Sequence, residues 1–396
     1  MQVACAVLLL GSAVTADAQS RAERHARTAF GRELADSVKR VVDAAVTDRA
    51  FPGAYAIVGD SRGILAECGA GHLDWKKSAR PTRETLWDLA SLTKVIGTTT
   101  ALAQLVDRRL VDVDAPVQRY LPEWVGPGRE SVTVRHLLTH SSGLPSFRAY
   151  DNQTHDKDSI AALLFATPLE RRPGERMVYS DIGAFVMGRI VERVSGNTLD
   201  QYVKRNIATP LRLRETVFNP PRRWLKRIAP TEFDSLRGGL VHGMVHDERA
   251  YYLGGVAAHA GLFGSARDLS RFATMMLRGG ALDGARVLDS ATIAQFTSYA
   301  DSAFSDRGLG WQKAYGPRPT TGPPSAAWAG QFMSSRAYGH TGFTGTSIAI
   351  DPELDLYIIL LSNRVNPTRN NGKITDVRRR LADAVVPAVR RRRGQP

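Results

Sequence analysis

The sequence predicts an α+β fold: one antiparallel sheet assembled from both ends of the chain and flanked by helices, with an all-helical lobe inserted between them. Three observations predict it. Strand-like runs open the globular part, Gly53 to Val58 and Gly63 to Ala70, and others close it, Gly308 to Trp311, Gly345 to Ile350 and Leu354 to Leu361. Between about Asp112 and Gly264, helical segments alternate with Pro- and Gly-containing loops. The 396 residues exceed the usual size of a single core, so two lobes with a ligand cleft between them are expected.

Each element has a local reason. Val3 to Val14 is almost wholly apolar and precedes Ala16-Asp17-Ala18, the pattern of an export signal over residues 1–18, although no Lys or Arg comes before the run. It is shorter than the roughly 20 apolar residues needed to span a bilayer. Residues 19–34 form a polar lead-in to a domain over 35–390. Leu34, Val38, Val41, Val42 and Val46 then mark one helical face, and Gly59-Asp60-Ser61-Arg62 turns the first hairpin. Leu92, Val95, Ile96, Thr99, Leu102, Leu105 and Val106 recur at helical spacing, which predicts a deeply packed helix that begins at Ser91. Thr133 to Thr139 is a short helix. Asp181 to Val194 ends at Gly196, a good C-cap, and Ser265 with Asp268 opens a helix that closes at Gly279-Gly280. Tyr315 to Ala337 reads as a long loop. An amphipathic helix, Ile374 to Val389, exposes its arginines and is followed by a basic tail at 391–396.

Composition narrows the function classes. The formal charge is +14, with arginine runs at Arg378 to Arg380 and Arg390 to Arg393, so loose association with an anionic cell envelope is expected. Nucleic acid is excluded as a partner: the arginines are dispersed and no zinc-knuckle or helix-turn-helix pattern occurs. Cys5 departs with the leader, leaving Cys68 as a small core residue and no cysteine-based metal site. A leader places the mature chain in the periplasm or outside the cell.

Ser91 is the one serine with a lysine three positions later, in Leu89-Ala90-Ser91-Leu92-Thr93-Lys94. On a helix these two side chains share a face, and a neighbouring base is what a serine needs to become a nucleophile. The helix N-terminus beneath it favours developing negative charge. Tyr179-Ser180-Asp181 and His340-Thr341-Gly342 follow in the order that completes an acyl-transfer site. Tyr150-Asp151-Asn152 competes with Tyr179, but it sits among His155, Asp156, Lys157 and Asp158, whereas Tyr179 is followed by an apolar helix. His242 and His246, with Asp247 and Glu248, raise a metal site. Gly243 interrupts any helix there and His-Glu-x-x-His is absent, so no metal is assigned.

These fragments resemble the serine β-lactamase and penicillin-binding-protein family, nearest its class C β-lactamase, DD-peptidase and esterase branch. Arg135 to Pro145, Val245 to Glu248, Gly254 to Phe263 and Ser362 to Arg369 carry the same resemblance, toward penicillin-binding-protein-4B-like carboxypeptidases, and it spans roughly residues 35–390. The resemblance implies a β-lactamase/DD-peptidase-like fold and a serine hydrolase working through an acyl-enzyme without a cofactor. Ser91 would be the nucleophile, Lys94 and Tyr179 would share the base work, and His340 would complete the catalytic set. Asp181, Thr341, Gly342 and Phe343 would bind substrate, with the Ser91 and Phe343 N–H groups as oxyanion hole. Two departures stand out. Asp181 replaces the usual Asn and can only accept hydrogen bonds when ionised; His340 replaces the usual Lys and is only partly charged near neutrality. Both argue against efficient β-lactam turnover, and the expected substrates are D-alanyl peptides from peptidoglycan or small esters. A penicillin-binding sensor without turnover and a true class C-like β-lactamase are the alternatives.

Overall fold

A computed structural model describes residues 4–76, 78–301, 305–316 and 324–394, with side chains from His25 onward. Its centre is a six-stranded antiparallel sheet in the order Gln312–Lys313, Tyr338–Thr341, Ser347–Asp351, Leu356–Ser362, Gly53–Asp60, Gly63–Gly71. The join between the chain's two ends is the pairing of Ala54 with Ser362 through Gly59 with Tyr357. Strand alternation sorts the side chains by face. Ala54, Ala56 and Val58 pack with Leu34, Val38 and Val42 and with Leu381, Val385 and Val386 of the C-terminal helix Ile374–Arg392. Tyr55 and Ile57 face the other way, into the larger core with Phe272 and Met275 of Ala266–Leu277.

The polar lead-in continues the first helix, which runs Ala4–Thr47, and Arg27 in it pairs with Asp60 at the first hairpin. Side chains of residues 1–18, where an export signal is expected, lie outside the described residues. Among those described, no helix is long and apolar enough to cross a membrane. Cys68 is half-buried rather than a core residue, because its strand lies at the sheet edge.

The lobe between 112 and 264 departs from the all-helical expectation. Its helices, such as Lys157–Ala166 and Asp181–Ser195, share it with short strands. Leu262–Ser265 pairs with both Leu86–Asp88 and Val217–Phe218, and Phe233–Asp234 pairs with Gly239–Leu240. Pieces of two residues are too short to show a two-residue period in sequence. The first of these small sheets matters most: Leu86–Asp88 delivers the chain to Ser91.

Candidate active site

Strand Leu86–Asp88 ends three residues before Ser91, and the helical stretch Lys94–Thr99, continued by Thr100–Asp107, begins just after it. The turn between is sharp. Ala90 adopts a left-handed φ of 45°, a conformation a non-glycine residue holds only under tertiary constraint. The constraint is Asp88. Its buried carboxylate accepts from the Ala90 N–H at 2.8 Å and from the His246 N–H at 2.6 Å. Burial pushes that carboxyl above its ordinary range, against the pull of these donors.

The far side of the turn is tied to the strand end at 342–346. Thr344 and Thr346 hydroxyls donate to the carbonyls of Asp88 and Leu89, at 2.7 and 3.0 Å. A Cβ on Gly342 would lie 2.5 Å from the Leu89 carbonyl oxygen, so only glycine permits this approach. Among the described residues, neither the Ser91 nor the Phe343 N–H donates to a protein acceptor. Arg378 secures the loop from below, donating to the carbonyls of Gly342 at 2.8 Å and Thr346 at 2.6 Å. This corrects the expectation that the last helix exposes all its arginines: Arg378 is buried, and burial pushes its guanidinium down to about 9. Replacing it with alanine leaves both carbonyls without their charged donor, so urea denaturation should show a loss of about 2–3 kcal/mol. The lysine variant should recover part of it.

Within the cleft, the Lys94 ammonium donates to Ser91 Oγ at 3.0 Å and to the His259 carbonyl at 3.1 Å, and it meets Asp181 Oδ1 at 2.7 Å. Lys94 is 2% exposed. Burial disfavours its charge, but the Asp181 carboxylate, with Tyr179 beyond it, more than offsets this and holds the amine above its ordinary range. Burial likewise opposes the charge of Asp181, and Lys94 followed by His259 holds that carboxyl below its ordinary range. The pair is therefore ionic at neutral pH. Asp181 opens helix Asp181–Ser195, whose N-cap Ser180 is anchored to Pro145 and His140.

Tyr179 is half-buried. Its ring stands 4.8 Å from Lys94 Nζ, 4.6 Å from the His140 ring and 5.9 Å from the His340 ring, and its hydroxyl has no hydrogen-bond partner. The rival Tyr150 spends its hydroxyl on Thr167. His340 is buried rather than partly charged: desolvation, then the nearby Arg307 and Lys94, hold its ring well below the usual histidine range. Its Nδ1–H donates to the Thr341 carbonyl, which leaves Nε2 a bare acceptor.

Arg307 supplies the cleft with a fixed cation beside the reacting groups, which the sequence reading passed over because no motif surrounds it. It is buried, lies 5.4 Å from the Tyr179 ring, meets Asp306 Oδ1 through its Nε at 3.4 Å, and has no hydrogen-bond acceptor for one terminal nitrogen. Ser91, Tyr179, Arg307, His340, Phe343 and Arg364 line a cleft of about 480 Å³. A larger hollow, about 910 Å³, lies on the helical lobe around Lys157, Arg189 and Leu253 and contains no serine nucleophile. His242 and His246 do not converge: one binds the Ile228 carbonyl and the other Glu232. Asp181, Asp247 and His259 do cluster, with ligand-type atoms within 4.8 Å of one another. Both carboxylates already have partners, since Lys94 meets Asp181 and His259 Nε2 meets Asp247 at 3.0 Å.

The model of the Beta-lactamase family matches residues 38–383. The chain belongs to the β-lactamase family. As a member it is a serine hydrolase of that fold. The family member named "Putative D-alanyl-D-alanine carboxypeptidase" from Salmonella schwarzengrund (strain CVM19633) is 35% identical over 324 residues, covering 74% of this chain and 73% of that protein. Among solved structures, a penicillin-binding protein homologue from Caulobacter crescentus superposes with a TM-score of 0.71 at 21% identity, covering 90% of this chain and 97% of that one. EstCE1, a hydrolase with promiscuous acyltransferase activity, gives a TM-score of 0.71 at 22% identity, covering 90% and 99%. These two likenesses concern the shared β-lactamase-family fold.

Proposed function

We propose that this β-lactamase-family hydrolase is exported and cleaves D-alanyl peptides of cell-wall origin, with small esters as further substrates and weak β-lactam hydrolysis at most. The observation that carries the reading is the Lys94 ammonium 3.0 Å from Ser91 Oγ, in a cleft where Arg307 keeps one terminal nitrogen without a hydrogen-bond acceptor. Ser91 Oγ attacks the acyl carbon. Because Asp181 holds Lys94 protonated, Lys94 cannot take the serine proton, and the unpartnered Tyr179 oxygen, acting as a phenolate, is the acceptor that remains. Lys94 and Arg307, both facing the Tyr179 ring, balance a phenolate there. The Ser91 and Phe343 N–H groups receive the oxyanion. Tyr179 returns the proton to the departing D-alanine amine or alcohol, and water then cleaves the Ser91 ester, regenerating the hydroxyl.

Arg307 supplies what neutral His340 does not, a partner for the terminal carboxylate of a D-alanyl peptide. Arg307→Gln is therefore expected to raise KM for such peptides about 10- to 100-fold while changing nitrophenyl ester hydrolysis little, the difference being one charge-assisted contact. Equal losses on both substrates would remove the carboxylate role. The overall reading is tested with a panel of D-alanyl peptides, nitrophenyl esters and a chromogenic cephalosporin. Released D-alanine is the supporting result. A penicillin adduct that persists in the intact-protein mass, with no turnover of any panel member, would make the chain a sensor instead.

A further inference from the structure

We propose that the turn Arg222–Arg227 and the hairpin Phe233–Leu240 form a docking face for an anionic lipid bilayer. The segment concentrates exposed apolar side chains: Leu236 is 89% exposed, Phe233 63%, Leu240 45%, Leu225 38% and Met244 37%. They belong to one surface. Phe233 pairs with Leu240 across the hairpin, and a Cβ on Gly243, the neighbour of Met244, would lie 2.7 Å from Leu225. A contiguous apolar patch of this kind marks an interaction site rather than ordinary surface.

The hairpin is held rigidly from beneath by polar groups, so its apolar rim is not there to fold it. Arg237 pairs with Asp234 and donates to the carbonyls of Val245 and His246, each at 2.9 Å. Phe233 N–H donates to the Pro367 carbonyl at 2.9 Å, and the Glu232 carboxylate binds His246 and Arg369. Polar anchoring inside with leucine and phenylalanine outside is the reverse of a solvated loop.

Charge selects the occupant. Arg222, Arg223 and Lys226 are exposed on the adjoining turn. Glu232 and Asp234 are the only carboxylates between residues 221 and 245, and both are already paired. A basic rim around apolar tips suits a headgroup layer carrying negative charge, with the tips entering the acyl boundary. A second copy of this chain would bring like charges together. An anionic polymer would have no use for Leu236 or Phe233. His246 links the face to the cleft, since its ring stacks on Phe343 at 5.7 Å, so docking holds the cleft opening beside the bilayer surface.

The test is sedimentation of the full chain with vesicles of phosphatidylglycerol and phosphatidylcholine, against phosphatidylcholine alone, at low and high salt. The chain should pellet with the anionic vesicles at low salt. Phe233→Ser/Leu236→Asp, and separately Arg222→Gln/Arg223→Gln/Lys226→Gln, should each weaken binding about tenfold or more. Glutamine at all four positions from Arg390 to Arg393 should change it less than about threefold, because those arginines lie outside the docking face and only charges held near the headgroups contribute. An unchanged melting temperature serves as the fold control for each variant. The proposal is overturned if the wild-type chain stays in the supernatant or pellets equally with both vesicle types. It also fails if binding is lost with the 390–393 arginines but kept in the hairpin variants. Dimerisation that Leu236→Asp abolishes, or retention by an anionic wall polymer but not by vesicles, would likewise replace it.

Discussion

Ser91→Ala is expected to fold as the parent does and to lose about 10⁴-fold or more in kcat on every substrate. The side chain contributes little to stability. Its hydroxyl accepts one hydrogen bond from Lys94, and Lys94 keeps Asp181 and the His259 carbonyl when that bond is gone. The loss should therefore be about 1 kcal/mol, measurable by urea denaturation. The strained turn at Ala90 is held by Asp88, Thr344 and Thr346, none of which touches the hydroxyl. Intact-protein mass spectrometry with penicillin should show an adduct on the parent and none on the variant. Retention of peptidase and esterase activity by Ser91→Ala would end the acyl-enzyme reading, because no other serine in the chain has a lysine three residues on.

Lys94→Ala is expected to damage stability and turnover together, and the pH dependence separates the two. Removing the amine leaves the half-buried Asp181 carboxylate without its ion-pair partner, which costs about 3 kcal/mol, the low end for a buried pair. Turnover should fall about 10³-fold, since Arg307, farther from the ring, is then left alone to balance charge on Tyr179. The sign of the linkage follows from the directions of the shifts. In the parent, Asp181 sits below its ordinary value, so its contribution is fully present above about pH 4 and is lost as pH falls through the folded value. Without Lys94, burial, the largest influence on Asp181, is opposed by less and lifts the carboxyl. Its contribution to the acid limb should then reverse, so that acid relieves the variant where it harms the parent. Lys94→Ala/Asp181→Asn should recover most of the stability and none of the activity. Unfolding free energies at pH 4.5 and 7.5 decide the matter: an unchanged difference between parent and Lys94→Ala would mean that the two charges are not coupled.

The sheet, the Ser91 helix and the helix at Asp181 were legible because each carries its own period and its own cap. Ser91 with Lys94 was legible for a similar reason: three residues along a helix is a local distance. The small strands at Val217–Phe218, Phe233–Asp234 and Gly239–Leu240 were not, since two residues have no period. The charge of His340 was misjudged because it depends on burial and on Arg307, 33 positions earlier in the chain. Arg378 was misjudged in the same way: one turn among several arginines looks solvated until the fold sets it beneath Gly342.

What the order of residues dictated here was the reaction class and the frame: a hydroxyl beside an amine on an apolar helix, a phenol ahead of a second helix, a glycine-bearing strand end, and a sheet closed by the two chain ends. Those features rest on neighbours in the chain, where spacing is geometry. Folding alone decided the charge states and the supports: Lys94 kept cationic by Asp181, His340 kept neutral, Arg307 brought to the cleft with a terminal nitrogen unspent, and Asp88 and Arg378 clamping the turn and loop around Ser91. These depend on desolvation and on partners tens to hundreds of residues away, and a carboxylate, an imidazole or a guanidinium has no fixed charge or role until its surroundings are set.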